Sequence, residues 1–222
     1  MLSERLREIH DLLYACYGPQ YWWPGESRFE IILGAILTQN TNWRNVEKAL
    51  GNLKAAGMLD EERLAAADAE TVSSLIRPAG YYNVKAVRVK NFMRWLFDEP
   101  YWGDLDAVAR VETEALRESL LGVKGIGRET ADSILLYAFG RPVFVVDAYT
   151  CRVMGRHGFI DGEADYEEVR RLFEENLPGD AALFNEYHAL LVRVGKEQCR
   201  PTARCAGCSL AHLVHESQWP AW

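Results

Sequence analysis

The chain has few of the features that would direct it to a membrane or let it coat a nucleic acid. No apolar run approaches the roughly 20 residues that span a bilayer, and the N-terminal segment lacks the apolar core of a signal peptide. Its 25 Lys and Arg residues stand against 32 Asp and Glu residues, a net charge of −7, which argues against a broad basic surface. We therefore expect a cytoplasmic protein without a membrane partner.

Strand-like segments, internal repeats and low-complexity linkers are also scarce. Residues 143–146 form the only strand-like stretch, which is too short for a sheet. Elsewhere, apolar residues recur at three- and four-residue steps, as at Ile31, Ala35 and Ile36, and glycine and proline separate the helical segments. An all-α protein is predicted, with helices over 2–17, 28–39, 43–55, 69–76, 83–97, 113–121, 128–139, 147–157, 166–176 and 181–195.

Residues 121–158 carry the strongest functional signal. A glycine turn, Gly125-Ile126-Gly127, leads directly into an amphipathic helix. Glycines let the backbone approach a partner closely, and the unpaired N–H groups at a helix start can bind phosphate. Further along, Asp147 follows an apolar stretch at the start of the next helix. A phosphate site and one fixed carboxylate indicate an enzyme that acts on nucleic acid.

Three motifs in this order resemble the DNA glycosylase superfamily to which endonuclease III belongs. They are the helix-hairpin-helix segment VKGIGRETA at 123–131, GRP at 140–142, and VDAY at 146–149. The segment GYYNVKA at 80–86 matches a further family element, so the resemblance covers most of the chain.

The resemblance implies two helical lobes with a DNA-binding cleft between them. A six-helix domain over 25–145 would contain the helix-hairpin-helix at about 113–139. Residues 1–24 and 146–222 would form the second helical domain, with a Cys-rich loop at 199–208. The hairpin residues implied to bind DNA are Val123, Lys124, Gly125, Ile126, Gly127, Arg128 and Thr130.

The resemblance makes Asp147 the catalytic residue. Hydrolysis of an N-glycosidic bond builds positive charge on the sugar, which a fixed carboxylate stabilises while it orients or deprotonates water. The dipole at a helix start favours the ionised carboxylate. Alternatively, Asp147 simply caps the helix that follows, and the two roles are compatible.

Glu129 departs from the pattern of the bifunctional members, which carry a lysine nucleophile after the hairpin arginine. A lysine amine forms a Schiff base and goes on to cleave the strand, whereas a carboxylate cannot. The resemblance therefore implies a monofunctional glycosylase, in which water attacks the sugar and an abasic site remains. Lys124, in the same loop, is interpreted as a phosphate contact rather than a replacement nucleophile.

The segment Tyr21-Trp22-Trp23-Pro24 resembles the Trp-Trp-Pro segment of the 3-methyladenine DNA glycosylase III branch, where it lines the base pocket. Aromatic faces stack on a flipped base and bind a cationic base better than a neutral one. Alkylated purines, 3-methyladenine first, are thus the expected substrates; packing between domains is the alternative role for these aromatics. The remaining residues assigned to the base pocket or to the loop that enters the DNA are Gln39, Asn40, Glu129 and Lys196.

Three cysteines, Cys199, Cys205 and Cys208, are spaced C-x5-C-x2-C, which in a cytoplasmic protein indicates a metal site rather than a disulfide. Endonuclease III relatives hold a [4Fe–4S] cluster there with C-x6-C-x2-C-x5-C. This chain shortens the first gap and lacks the fourth cysteine, which leaves His212 or His215 as the nearest fourth ligand. A [4Fe–4S] cluster with an incomplete ligand set, a zinc ion and no metal remain as alternatives.

Together these features predict a hydrolase of base excision repair that acts as a monomer on double-stranded DNA containing a damaged base. One alternative is an endonuclease III-like bifunctional glycosylase and AP lyase for oxidised pyrimidines. The other is a non-catalytic helix-hairpin-helix protein that binds lesions.

Overall fold

The computed structural model describes residues 2–216, and no strand occurs within that range. The all-α class predicted from the sequence is confirmed. The twelve α-helices are α1 (Leu2–Tyr17), α2 (Arg28–Leu37), α3 (Trp43–Ala55), α4 (Glu61–Ala66), α5 (Ala69–Leu75), α6 (Tyr82–Phe97), α7 (Leu105–Ala109), α8 (Thr113–Leu121), α9 (Arg128–Ser133), α10 (Ala148–Arg156), α11 (Tyr166–Glu174) and α12 (Ala181–Glu197). A 3₁₀ turn spans Arg77–Ala79, and a π-helical turn, Ile134–Ala138, extends α9.

The chain divides into two compact units, 24–139 and 1–23 with 140–222. The first unit is built around α2, which buries seven of its ten residues. A helix that is apolar on nearly all sides forms the centre of a core. Around it, α2 contacts α3, α6 and α9.

The first unit holds eight α-helices where six were expected. The two additional ones, α4 and α7, are too short to show a helical period in the sequence. Each begins at an aspartate whose side chain accepts a backbone N–H: Asp60 accepts from Arg63, and Asp104 accepts from Asp106. Such caps stabilise short helices that propensity alone would not hold.

In the second unit, α12 packs against α1 and α10. Phe144 is fully buried there, with its ring stacked on Phe173 at 3.7 Å and edge-on to Phe184 at 5.5 Å. Residues 143–146 therefore belong with α11 and α12. The boundary consequently lies at Phe139 and Gly140, before the predicted one at 145 and 146. The cleft expected between the lobes stays a prediction.

Among residues 2–216, none of the helices combines the length and the apolar character that a bilayer crossing requires.

Candidate functional site

Asp147 lies at the N-cap of α10, directly after the buried segment 143–146. Its Oδ1 accepts hydrogen bonds from the Thr150 backbone N–H at 2.8 Å and from the Thr150 hydroxyl at 3.1 Å. The capping role considered from the sequence is thus present. The side chain retains 13% exposure, so a capped carboxylate still reaches solvent.

His188 of α12 faces the second carboxylate oxygen. Its Nε2 lies 3.6 Å from Asp147 Oδ2, and the imidazole is 5% exposed and edge-on to Phe144 at 6.5 Å. The sequence motifs did not identify His188. The available signal was a histidine inside an otherwise apolar helical face, which is more often a core residue than a functional one.

The environment of Asp147 favours its ionised form. Burial alone would raise the pKa of this carboxyl, but the neighbouring His188 imidazole outweighs that effect, and the hydrogen bonds from Thr150 add to it. The pKa of Asp147 consequently lies below its ordinary value. A carboxylate that is ionised at neutral pH and partly open to solvent can stabilise a developing positive charge or accept a proton from water.

An aromatic and cationic cluster lies in the same unit as Asp147. The Lys196 Nζ atom is 5.8 Å from the ring centre of Trp22 and 5.7 Å from that of Tyr149. Burial, and then the charge of Asp147, raise the pKa of the Tyr149 hydroxyl. Tyr149, which follows Asp147 by two residues, was not among the predicted site residues.

The close approach of α10 and α12 depends on a glycine. A Cβ atom placed on Gly195 would lie 2.6 Å from Tyr149 Cδ1, so no other residue fits without a shift. Trp22 packs edge-on to Trp23 at 5.5 Å. The buried indole Nε1 of Trp22 has no hydrogen-bond acceptor within the described residues, whereas Tyr21 is 86% exposed. Pro24 begins the other unit.

The glycine hairpin connects α8 to α9. Gly125 has φ 101, and a Cβ there would lie 2.5 Å from Arg88 Cγ, so both backbone conformation and space require glycine. Gly127 occupies the N-cap of α9 without a side-chain cap. Lys124, Gly125, Gly127 and Arg128 are exposed, as is Glu129, while Val123, Ile126 and Thr130 are buried. The side chains of Val123, Ile126 and Thr130 therefore stabilise the hairpin and do not face a partner.

The loop after α2 lies against this hairpin. Gln39 Nε2 donates to the Gly125 carbonyl at 3.2 Å and to the Thr130 hydroxyl at 2.9 Å. The next residue, Asn40, is exposed and has φ 54. Gln39 and Asn40, which were predicted to share one role, therefore have different surroundings.

The Cys-rich loop does not gather a metal-ligand set. Cys199, Cys205, Cys208 and His215 border one small pocket, whereas His212 is exposed outside it. Within residues 2–216, no three His, Cys, Asp or Glu side chains meet closely enough to hold a metal ion. The expected ligand set is therefore not assembled, and we derive no chemistry from a cluster.

The guanidinium of Arg156 lies between α10 and the Cys-rich loop. Arg156, 3% exposed, donates from Nη1 to Cys199 Sγ at 3.1 Å and to the Arg200 carbonyl at 2.7 Å. Its Nη2 donates to the Pro201 carbonyl at 2.8 Å. One buried side chain thus fastens the loop through a thiol and two carbonyls.

Replacing this arginine should loosen the loop. Arg156→Met is expected to lower the free energy of unfolding by about 3 kcal/mol, because buried acceptors lose a charged donor. Arg204→Met, in an exposed position on the same loop, is the matched control and should change little. Denaturant titration measures both. Equal stability of the two variants, or stoichiometric iron or zinc in freshly purified protein, would contradict anchoring by Arg156.

A family profile and two relatives match most of this chain in sequence. The profile of HhH-GPD superfamily base excision DNA repair proteins matches residues 33–179. A candidate DNA repair glycosylase of Methanocaldococcus jannaschii is 46% identical over 93% of this chain and 94% of its own length. Endonuclease III of Sulfolobus acidocaldarius is 31% identical over 78% of this chain and 74% of its own length.

Solved structures agree with the sequence comparison. The 3-methyladenine DNA glycosylase MagIII of H. pylori, bound to 1,N6-ethenoadenine, superposes with a TM-score of 0.76 at 31% identity, over 88% of this chain and 97% of that one. An endonuclease III–DNA complex has a TM-score of 0.80 at 22% identity, over 97% and 96%, and supports the fold alone. This chain belongs to the HhH-GPD superfamily of base excision DNA repair proteins.

Proposed function

We propose that this protein is a monofunctional DNA glycosylase that hydrolyses the N-glycosidic bond of a flipped, alkylated purine. The observation that carries the proposal is Asp147, which is capped by Thr150, paired with His188 and still open to solvent. Its charge would stabilise the cationic sugar as the base departs, and the carboxylate would orient or deprotonate the attacking water.

Glu129 supports hydrolysis without strand cleavage. It follows Arg128 in the first turn of α9, the position where bifunctional relatives carry a lysine nucleophile. A carboxylate cannot form the Schiff base that elimination requires. Lys124 stays a proposed phosphate contact, with its carbonyl accepting a 2.8 Å hydrogen bond from Asn91 Nδ2.

The cluster of Trp22, Tyr149 and Lys196 is the proposed base pocket. The exposed side of an indole face can stack on an extruded base. Lys196 lies over Trp22, so a stacked base would take the opposite indole face. MagIII, 31% identical, adds support for alkylated purines with 3-methyladenine first.

Double-stranded DNA with a damaged base is the proposed partner. The hairpin would hold the sugar-phosphate backbone through its exposed glycines, Lys124 and Arg128. All of these residues come from one chain, so we propose that a monomer suffices.

Base release from defined lesions tests the proposed substrate class. The protein is incubated with methylated DNA and, separately, with duplexes containing 1,N6-ethenoadenine or thymine glycol, and released bases are separated by chromatography. We expect 3-methyladenine to be released fastest and thymine glycol not at all. The Asp147→Asn variant, purified in parallel, controls for a contaminating glycosylase.

Two results would overturn the proposal. Release of thymine glycol with cleavage of its strand would indicate the bifunctional alternative. Tight binding to these duplexes without release of any base would indicate a lesion-binding protein.

A further inference from the structure

Gln39 joins two segments that the sequence presents as separate. The loop after α2 contains Gln39 and Asn40, and the hairpin contains Gly125 and, on α9, Thr130. Both hydrogen bonds of the Gln39 Nε2 group go to the hairpin, one to the Gly125 carbonyl and one to the Thr130 hydroxyl. An amide nitrogen has two N–H donors, so both are committed.

Both segments are also fastened to one helix behind them. Lys85 of α6, 1% exposed, donates from Nζ to the Leu37 carbonyl at 2.9 Å and to the Ala79 carbonyl at 2.8 Å. Less than two turns further along α6, Asn91 donates to the Lys124 carbonyl. The start of the loop and the hairpin therefore have fixed positions on α6, and Gln39 is the direct link between them.

Asn40 is the residue that this arrangement leaves outward. It is exposed, and its φ of 54 places it in the left-handed region, which asparagine tolerates better than most residues. If Gln39 turned toward a ligand, it would lose both hydrogen bonds to the hairpin. Asn40 can make such a contact without breaking either.

We propose that Gln39 is a positioning residue that couples the hairpin's hold on the DNA backbone to insertion of the Asn40 tip into the base stack. The inference rests on the proposed function, since it assumes that the hairpin and this loop face DNA. When the hairpin binds the DNA backbone, the contacts of Gln39 with Gly125 and Thr130 fix the position at which Asn40 enters the base stack. Gln39 itself stays on the protein.

A double-mutant cycle tests this coupling. The variants are Gln39→Leu, which removes the donor, Thr130→Val, which removes the hydroxyl at nearly constant shape, and the two combined. The probe is a duplex with a tetrahydrofuran abasic analogue and 2-aminopurine opposite it, whose fluorescence reports insertion of the tip in stopped flow. Thermal unfolding of each variant shows that it is folded, and affinity for an undamaged duplex reports the hairpin's grip.

Each single substitution should slow insertion by about tenfold, the order expected for a lost hydrogen bond. The double variant should be no slower than Gln39→Leu alone, because Thr130→Val removes one of the two contacts that Gln39→Leu already removes. Thr130→Ser keeps the hydroxyl and should restore the wild-type rate. Affinity for undamaged duplex is measured alongside, and the coupling predicts a slowing of insertion that exceeds any loss of that affinity.

Multiplicative slowing in the double variant would overturn the coupling. So would a wild-type rate of insertion in Gln39→Leu, which removes both contacts to the hairpin. The readout does not depend on base release. If the double variant is no slower than Gln39→Leu but the protein releases no base, the proposed enzyme activity is wrong and the coupling is retained. If the effects of the two substitutions multiply and base release is normal, the coupling alone is wrong.

Discussion

Replacing Asp147 by asparagine should slow base release by about 10³-fold, the upper range for loss of one group that stabilises charge in a transition state. The side chain keeps its shape but loses the charge that would face the sugar cation and the site that would accept a proton. Asparagine is as good an N-cap as aspartate, so α10 should remain intact. Single-turnover release and equilibrium DNA affinity measure the two effects separately, and affinity should be nearly unchanged.

The matched control is Asp165→Asn. Asp165 caps α11 as Asp147 caps α10, and it accepts the Glu168 backbone N–H at 2.9 Å. The same chemical change at this exposed cap should leave base release at the wild-type rate. If Asp147→Asn retained the wild-type rate, or if both variants slowed equally, Asp147 would be a cap and nothing more.

Substitution of His188 should shift the acidic limb of the pH–activity profile to higher pH. His188 is the main influence that lowers the pKa of Asp147 against the opposing effect of burial. Under the proposed mechanism, base release needs the ionised carboxylate and is lost as the pH falls through the pKa of Asp147. In His188→Leu, burial is opposed only by Thr150. We expect the acidic limb to move to a higher pH, because the neighbour that favours the ionised form is lost.

The shape of the pH–activity profile distinguishes a shifted pKa of Asp147 from a general loss of activity. Well above the limb both proteins hold an ionised Asp147, so the rate of His188→Leu should approach that of the wild type. His188→Gln retains a hydrogen-bond donor without the charge and should give an intermediate shift. A pH-independent loss of rate in both variants, with an unmoved limb, would contradict the assigned influence.

The same pKa shift has a consequence for stability. The folded-state pKa of Asp147 is lowered from 3.8, so its contribution to the fold is complete above that value and is lost as the pH falls below it. In His188→Leu this contribution should shrink, most visibly in unfolding measured at neutral pH rather than at acidic pH.

The sequence was most informative where function depends on local structure. The glycine turn at Gly125 and the cap at Asp147 are short-range features, set by backbone conformation and by the first turn of a helix. Both lie where the motifs placed them. The all-α class followed in the same way from apolar periodicity.

Partners brought together by packing were not predictable. His188 meets Asp147 only because α12 packs against α10, and that approach depends on Gly195 beneath Tyr149. The different surroundings of Gln39 and Asn40 likewise depend on a hairpin far along the chain. The Cys-rich loop shows the reverse case: its spacing resembles a metal motif, whereas Arg156 holds Cys199.

The central claim, that water acts as the nucleophile under the influence of Asp147 and no amine attacks the sugar, is tested most directly on a denaturing gel. An end-labelled duplex carrying the lesion that the wild-type protein releases fastest is incubated with it, with and without borohydride, and half of each sample is heated in alkali. We predict an intact strand until alkali is added, and no protein-DNA adduct with borohydride. Cleavage before alkali, together with a borohydride-trapped covalent complex, would contradict it.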